Sequence, residues 1–262
     1  MCSDRMKEVV EVTDAATPEG DDHRPHRLPA ARRRRQLLVA AIELFGTRGY
    51  HDTSMEDIAE EAGVTKPVLY QHFPSKRDLY LELLERVGSD LTAAVAATAG
   101  SEVLPNRRVL AGFLAYFRFV SEQTAAFQLL FGTGARGTDE FADVIRRLED
   151  GMAEVISGLI EAGTDPEHQR MLAYAIVGVA EVTARHWVLT DSDATRPTGQ
   201  RLPQLDPAAG DLLAGRLADL MWAGLRGLPA GDPPPVLPPP SGRTGTTGRT
   251  AEATCAGGAP LP

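Results

Sequence analysis

The sequence predicts an all-α fold: a three-helix N-terminal domain followed by a larger helical domain. Three observations predict it. Between about residues 30 and 228 apolar residues recur at steps of three and four, which puts them on one face of a helix. No sustained alternating run bounded by turn residues appears, so strands have no signal. Ser and Thr stand where apolar runs begin, and Gly or Pro stands where they stop.

A first helix over about 31–47 carries Leu37, Leu38, Ala41, Ile42 and Phe45 on one face, and Gly46 and Gly49 are expected to end it. Thr53-Ser-Met-Glu56 reads as a capping box opening a short helix over about 54–61. Gly63 supplies a tight turn, and Thr65 caps a third helix over about 66–72 with Pro67 in its first turn. Ser75-Lys-Arg-Asp78 is a second capping box, opening a long fourth helix to about 98. Five more helices are expected near 106–122, 124–132, 138–162, 166–190 and 207–227. The flanks, 1–29 and 229–262, are polar and rich in Pro or Gly. They cannot bury enough apolar surface to offset chain entropy, so disorder is expected in both.

Charge is unevenly placed. The net charge is -9, which by itself argues against a polyanionic partner. Residues 1–22 hold 7 acidic and 2 basic side chains, whereas residues 24–48 hold 7 Arg and the single acid Glu43. Residues 87–228 hold 18 acidic and 12 basic side chains. An Arg-rich patch on an acidic body suits a protein that touches phosphate with one end only. The two cysteines, Cys2 and Cys255, lie in the flanks, so neither a core disulfide nor a metal cluster is expected and a reducing cytoplasm is the natural compartment. No unbroken apolar run reaches the ~18–20 residues of a membrane span. No phosphate-binding loop, nucleophile elbow or His-Glu metal motif occurs, so no enzyme, metal or cofactor is expected.

The informative stretch runs from Asp52 to Leu79. It holds two short helices about Ala62-Gly63-Val64, with Ile58, Ala59, Ala62, Val64 and Leu69 available for a shared core. Lys66, Tyr70 and Gln71 then face outward on the second of them, and a helix fits the major groove of DNA. The pattern T-S-M-x-D-I-A-x-x-A-G-V-x-x-x-x-L-Y-x-H-F-x-S-K-x-x-L resembles the helix-turn-helix of TetR-family regulators, over nearly all of 31–91. The resemblance implies an all-α homodimer with an N-terminal DNA-binding domain (31–91) and a C-terminal ligand-binding and dimerisation domain (92–228). It implies as partners a palindromic operator in double-stranded DNA, a second copy of the chain and a small-molecule effector, and no membrane. Most such proteins are repressors that leave DNA when the effector binds.

Carried over by position, Thr53 matches a phosphate contact through its hydroxyl and N–H, and Ser54 stands beside it at the start of the second helix. Lys66, Pro67 and Val68 match the base-facing start of the recognition helix, where many relatives carry small residues or glycine. Tyr70 and His72 match backbone contacts, with Gln71 between them, and Lys76 matches a phosphate contact. Arg32–Arg35 would lie near phosphates, and an arm at Arg24–Arg27 would add further contacts.

In the C-terminal half, the stretch Met171 to Val182 is apolar almost all round and needs cover on several sides. The resemblance assigns that helix and 207–227 to a four-helix bundle between copies. The aromatic residues Phe113, Phe117, Phe127, Phe131, Tyr174 and Trp187, with Arg185, are candidates to line a largely apolar effector pocket; packed core is the alternative.

Overall fold

The computed structural model describes residues 30–132, 139–160, 165–191, 202 and 204–227. The expected disorder of 1–29 and 229–262, and the arm at Arg24–Arg27, lie outside the described residues. Among the described residues there are nine helices and no strand: α1 (Ala30–Arg48), α2 (Met55–Glu61), α3 (Lys66–His72), α4 (Lys76–Gly100), α5 (Pro105–Glu122), α6 (Thr124–Phe131), α7 (Asp139–Leu159), α8 (Pro166–Asp191) and α9 (Pro207–Arg226).

The caps refine the expected starts. The cap of α2 is Ser54, not Thr53, and its partner is Asp57, not Glu56: Asp57 N–H donates to Ser54 Oγ at 3.1 Å and Ser54 N–H to Asp57 Oδ2 at 2.8 Å. The Ser54 hydroxyl and N–H together hold the Asp57 carboxyl below its ordinary pKa. That contribution is therefore present above the usual carboxylate range and is lost as pH falls through the lowered value. Thr65 caps α3 with its backbone alone, making no side-chain cap bond. Ser75 caps α4, accepting from Asp78 N–H at 3.1 Å.

Helix α1 does not stop at Gly46 but runs through it to Arg48. The reason is tertiary. A Cβ on Gly46 would stand 2.4 Å from the Ala125 carbonyl oxygen, so the missing side chain lets α1 lie directly on α6. This contact and a ring cluster join the N-terminal helices to the body. Phe45, Tyr50, Tyr80 and Phe141 meet with centroids 4.7–6.1 Å apart, and Tyr80 Oη donates to the Leu129 carbonyl at 3.2 Å.

In the body, α9 packs along α5 in the antiparallel sense, with Gly210 beside Phe117 at one end and Arg226 near Arg108 at the other. Helix α8 packs mainly on α7; its buried residues include Ala173, Ala180, Ala184, Trp187 and Val188, of which Trp187 meets Phe117 of α5 and Gly210 of α9. Its most apolar 18 residues have a mean hydropathy of 1.2, which by length and composition would also suffice for a membrane span. Its small buried residues account for part of that apolarity by close helix packing. Its opposite side leaves Met171, Val182 and Leu189 between 57% and 67% exposed, and Leu212 and Leu220 of α9 are 54% and 59% exposed.

Candidate nucleic-acid interface and effector cavity

The turn between α2 and α3 is made by Gly63 at φ 62°, a left-handed conformation that favours glycine. Gln36 of α1 fixes that turn, its Nε2 donating to the Ala62 carbonyl at 2.8 Å. Leu69 is fully buried beneath α3 and anchors it against Ile58 and Ala59 in the shared core. With Leu69 inside, Lys66, Pro67, Tyr70 and Gln71 are exposed along the opposite side. Val68 and His72 are half-buried on the flanks, so they are less outward than the motif suggested.

Two expected phosphate contacts have other work. The Thr53 hydroxyl is buried and donates to the Gly49 carbonyl at 2.8 Å and to Leu44 at 3.3 Å. The hydroxyl ties the loop to α1. The Lys76 ammonium donates to the carbonyls of Tyr50 at 2.9 Å and Thr53 at 3.1 Å, and lies 4.4 Å from the Tyr50 ring centre. It clamps the loop that leads into α2. Arg34 is likewise engaged: it binds Glu82 of α4 through both guanidinium ends and stacks 4.7 Å from the Phe73 ring. Arg32 and Arg35 remain exposed beside it.

Lys66 lies 3.3 Å from Glu56 in an exposed pair. Such pairs contribute roughly 0–1 kcal/mol, so Lys66 can exchange this partner for a base or phosphate at small cost. Thr65 was not among the expected contacts. It is exposed at the N-terminus of α3 with its hydroxyl unused in capping, and the helix dipole there favours phosphate.

The clamp leads to a direct expectation. Lys76→Ala removes two charge-assisted hydrogen bonds, each worth roughly 1.5–3 kcal/mol. With compensation by water at this half-buried site, we expect about 2 kcal/mol of lost stability in urea unfolding together with weaker DNA binding. Loss of DNA binding with unchanged stability would show that Lys76 acts at the phosphate and not on the loop.

The body contains a partly open cavity of about 330 Å³, lined by α4, α5, α7, α8 and α9. Val95, Val109, Ile156, Ile176 and Trp222 give it an apolar wall. Arg108, in the first turn of α5, and Arg226, at the end of α9, stand on its lining as the charged groups. Arg108 is anchored by Nε to the Glu102 carbonyl at 2.8 Å.

Of the expected pocket residues, Phe113 lines this cavity. Phe117 and Phe127 are core: they are 0% and 1% exposed, and Phe117 packs on Trp187 with ring centres 5.9 Å apart. Trp187 closes that core and does not reach the cavity. Phe131 lines a smaller neighbouring void. Tyr174 is exposed, its hydroxyl donating to Asp150, and Arg185 lies 3.4 Å from Glu181 on its own helix. Trp222, Ile156 and Arg226 were missed because they come from helices distant in sequence from the aromatic run, and Arg108 because it precedes that run on α5.

A tied-down helix-turn-helix with one exposed recognition face, packed against a helical body that contains an apolar cavity, is the build of a DNA-binding transcription regulator. The family description "Bacterial regulatory proteins, tetR family" matches residues 37–83, and "Tetracyclin repressor-like, C-terminal domain" matches residues 105–210. The transcriptional activator FasR of Mycolicibacterium smegmatis is 35% identical over 176 residues, covering 66% of this chain and 80% of FasR. The regulator RutR of Escherichia coli is 28% identical over 156 residues, covering 55% of this chain and 71% of RutR. Among solved structures, a TetR-like regulator from Rhodococcus sp. RHA1 superposes with a TM-score of 0.60 at 27% identity, covering 77% of this chain and all of that one (100%). FadR of Bacillus subtilis, solved with stearoyl-CoA, shares the fold at a TM-score of 0.60 and 17% identity, covering 72% of this chain and 98% of FadR. The chain belongs to the TetR family of bacterial regulatory proteins.

Proposed function

We propose that this regulator works as a cytoplasmic homodimer that binds a palindromic operator through two copies of α3 and releases it when a largely apolar effector fills the cavity. The observation that carries the effector reading is the cavity itself. It lies within the roughly 300–1,000 Å³ range of ligand sites, and α4, which lines it, also begins the link to the helix-turn-helix. Arg108 and Arg226 suit an anionic head group on an apolar tail. FadR, solved with stearoyl-CoA, is a neighbour in fold whose ligand has that chemistry. Release of DNA represses or activates according to where the operator lies. Repression is the typical direction for the family, whereas FasR is named an activator; the binding step is the same in both.

The bases are read by Lys66, Pro67 and Gln71 on the exposed side of α3, and Thr65, Tyr70 and the N-terminus of α3 meet phosphates. Footprinting on the DNA upstream of its own gene tests the reading, and a protected site without two-fold symmetry removes it. On that site, log K is expected to fall by ~0.9 per phosphate contact for each log unit of salt. Lys66→Ala is expected to change base preference by roughly 1–3 kcal/mol at one position of each half-site if it meets guanine. A uniform loss over all sequences would assign Lys66 to phosphate. By linkage, operator must weaken effector binding by the factor that effector weakens operator binding. Equal effector affinity with and without operator would exclude release by this cavity.

A further inference from the structure

The outer side of the helix-turn-helix carries carboxylates, a charge of the wrong sign for a polyanion. Helix α2 buries Met55, Ile58 and Ala59, which turns Glu56 and Glu60 outward, one turn apart. The other first-turn carboxylate, Asp57, is engaged within the protein. It accepts from the Ser54 N–H and hydroxyl and lies 3.7 Å from Arg48 of α1. Glu56 instead reaches across the turn to Lys66, the first residue of α3. Ammonium and carboxylate are 3.3 Å apart, with the two side chains 50% and 76% exposed. Lys66 and Tyr70 share the outer side of α3, so Glu56 stands at the edge of the recognition face.

A lone lysine at this place suits phosphate, where a cation gains by releasing counterions. A lysine already neutralised by a carboxylate loses most of that gain. What the neutral pair keeps is direction: donors on one side and an acceptor on the other. An ammonium has three N–H donors and a carboxylate has two acceptor oxygens, so each keeps bonding capacity after meeting the other. The major-groove edge of a G·C pair is the complement. Guanine N7 and O6 accept there, and the cytosine N4 amine donates. O6 and N4 are themselves one hydrogen bond apart, roughly 2.9 Å, close to the 3.3 Å between Lys66 and Glu56.

We infer that Glu56 and Lys66 read one G·C pair of each half-site as a unit, Lys66 on guanine and Glu56 on cytosine. Lys66 donates to N7 and O6 while keeping Glu56, and the free oxygen of Glu56 accepts from N4. Glu56 is thereby a specificity-determining residue on α2, outside the recognition helix. The reversed C·G pair, like A·T, sets the carboxylate against an acceptor and the ammonium against a donor. T·A keeps the right order but puts the thymine methyl where Lys66 would find N7, and adenine N7 on the Glu56 side. The preference is therefore G·C, then T·A, then the two reversed pairs. The inference rests on the DNA-binding reading of α3 and adds a second reader to it.

The test lets the full chain select from a pool of random-sequence duplexes, and sequencing the bound fraction gives the base preference at every position. Fluorescence anisotropy on the preferred duplex and its single-pair variants gives the affinities. The wild type is expected to favour G·C over C·G by about tenfold or more at one position of each half-site. Glu56→Gln and Lys66→Ala are each expected to cut that preference to about twofold at this position and to leave the others unchanged. Glu60→Gln removes the same charge one turn away and is expected to leave every preference as it was. Glu56→Lys combined with Lys66→Glu keeps the net charge and is expected to invert the preference to C·G, which a merely structural pair would not do. No variant touches the Ser54–Asp57 cap, and far-UV circular dichroism checks the fold of each. If Glu56→Gln only tightens binding to all sequences, as a lost phosphate-repelling charge would, the inference is overturned. It is overturned equally if Glu56→Gln and Lys66→Ala act at different positions. A wild-type chain that enriches no sequence overturns it together with the DNA-binding reading.

Discussion

Combining Val182→Glu with Leu220→Glu is expected to split the proposed dimer and lower operator affinity by about 10²–10⁴-fold, the factor lost when two linked sites act singly. Both side chains lie on the outer side of α8 and α9, 57% and 59% exposed, so neither supports the fold of one subunit. Along α8 the exposed apolar positions Met171, Val182 and Leu189 are spaced to share one side, with small Ala175 and Gly178 between them. That side resembles an interface in which small residues admit a close neighbour and large ones fill its grooves. Carboxylates placed there face their own copies across the two-fold axis, where burial without a partner is costly. Two recognition helices must lie ~34 Å apart to read both half-sites, so a monomer keeps only half-site contacts. Sedimentation gives the assembly state and anisotropy the affinity, with far-UV circular dichroism checking the fold. A variant that sediments as the wild type would place the interface elsewhere.

Gly46→Ala is expected to lower stability by about 3 kcal/mol and to make operator binding insensitive to effector. Overpacking a close contact costs roughly 1–3 kcal/mol, and this contact is at the upper end because the obstacle is backbone. The added methyl would meet the Ala125 oxygen at 2.4 Å and its Cα at 2.8 Å, and no side chain is there to swing aside. Helix α1 would have to lift off α6, the surface by which the DNA-binding helices register with the body. Gly151→Ala is the control. It lies within α7 with nothing near its missing Cβ, so it should stabilise the helix by up to ~1 kcal/mol. Urea unfolding and effector-dependent anisotropy on both variants separate the two glycines. Equal behaviour would show that the α1–α6 contact is not a coupling surface.

These glycines show where sequence reading stops. Gly46 looked like a helix end, because a glycine near the end of an apolar stripe usually is one. Its actual use depends on Ala125, a residue 79 positions away in the chain. The same limit applies to Thr53 and Lys76. Their residue types mark them as polar contacts, but their acceptors are the carbonyls of Leu44, Gly49 and Tyr50, placed by the loop fold. The aromatic run 113–131 was legible as buried. Whether a buried ring lines a cavity or fills a core depends on what stands opposite. Trp187 fills the space beside Phe117, whereas Phe113 faces the empty volume between α5, α7 and α9.

The local pattern of the sequence was sufficient for the helices, the tight turn at Gly63, the buried Leu69 and the exposed Lys66, Tyr70 and Gln71. All of these follow from 3.6-residue periodicity, capping chemistry and glycine's access to positive φ. The tertiary structure alone decided that Thr53 and Lys76 bond to the backbone of the loop before α2 and of α1, that the cavity draws its walls from five helices, and that two arginines far apart in the sequence share its lining. Local pattern reaches as far as one turn of helix. Contacts between distant elements are set by how whole faces pack, and there the chemistry of each residue is assigned by its neighbour across the gap.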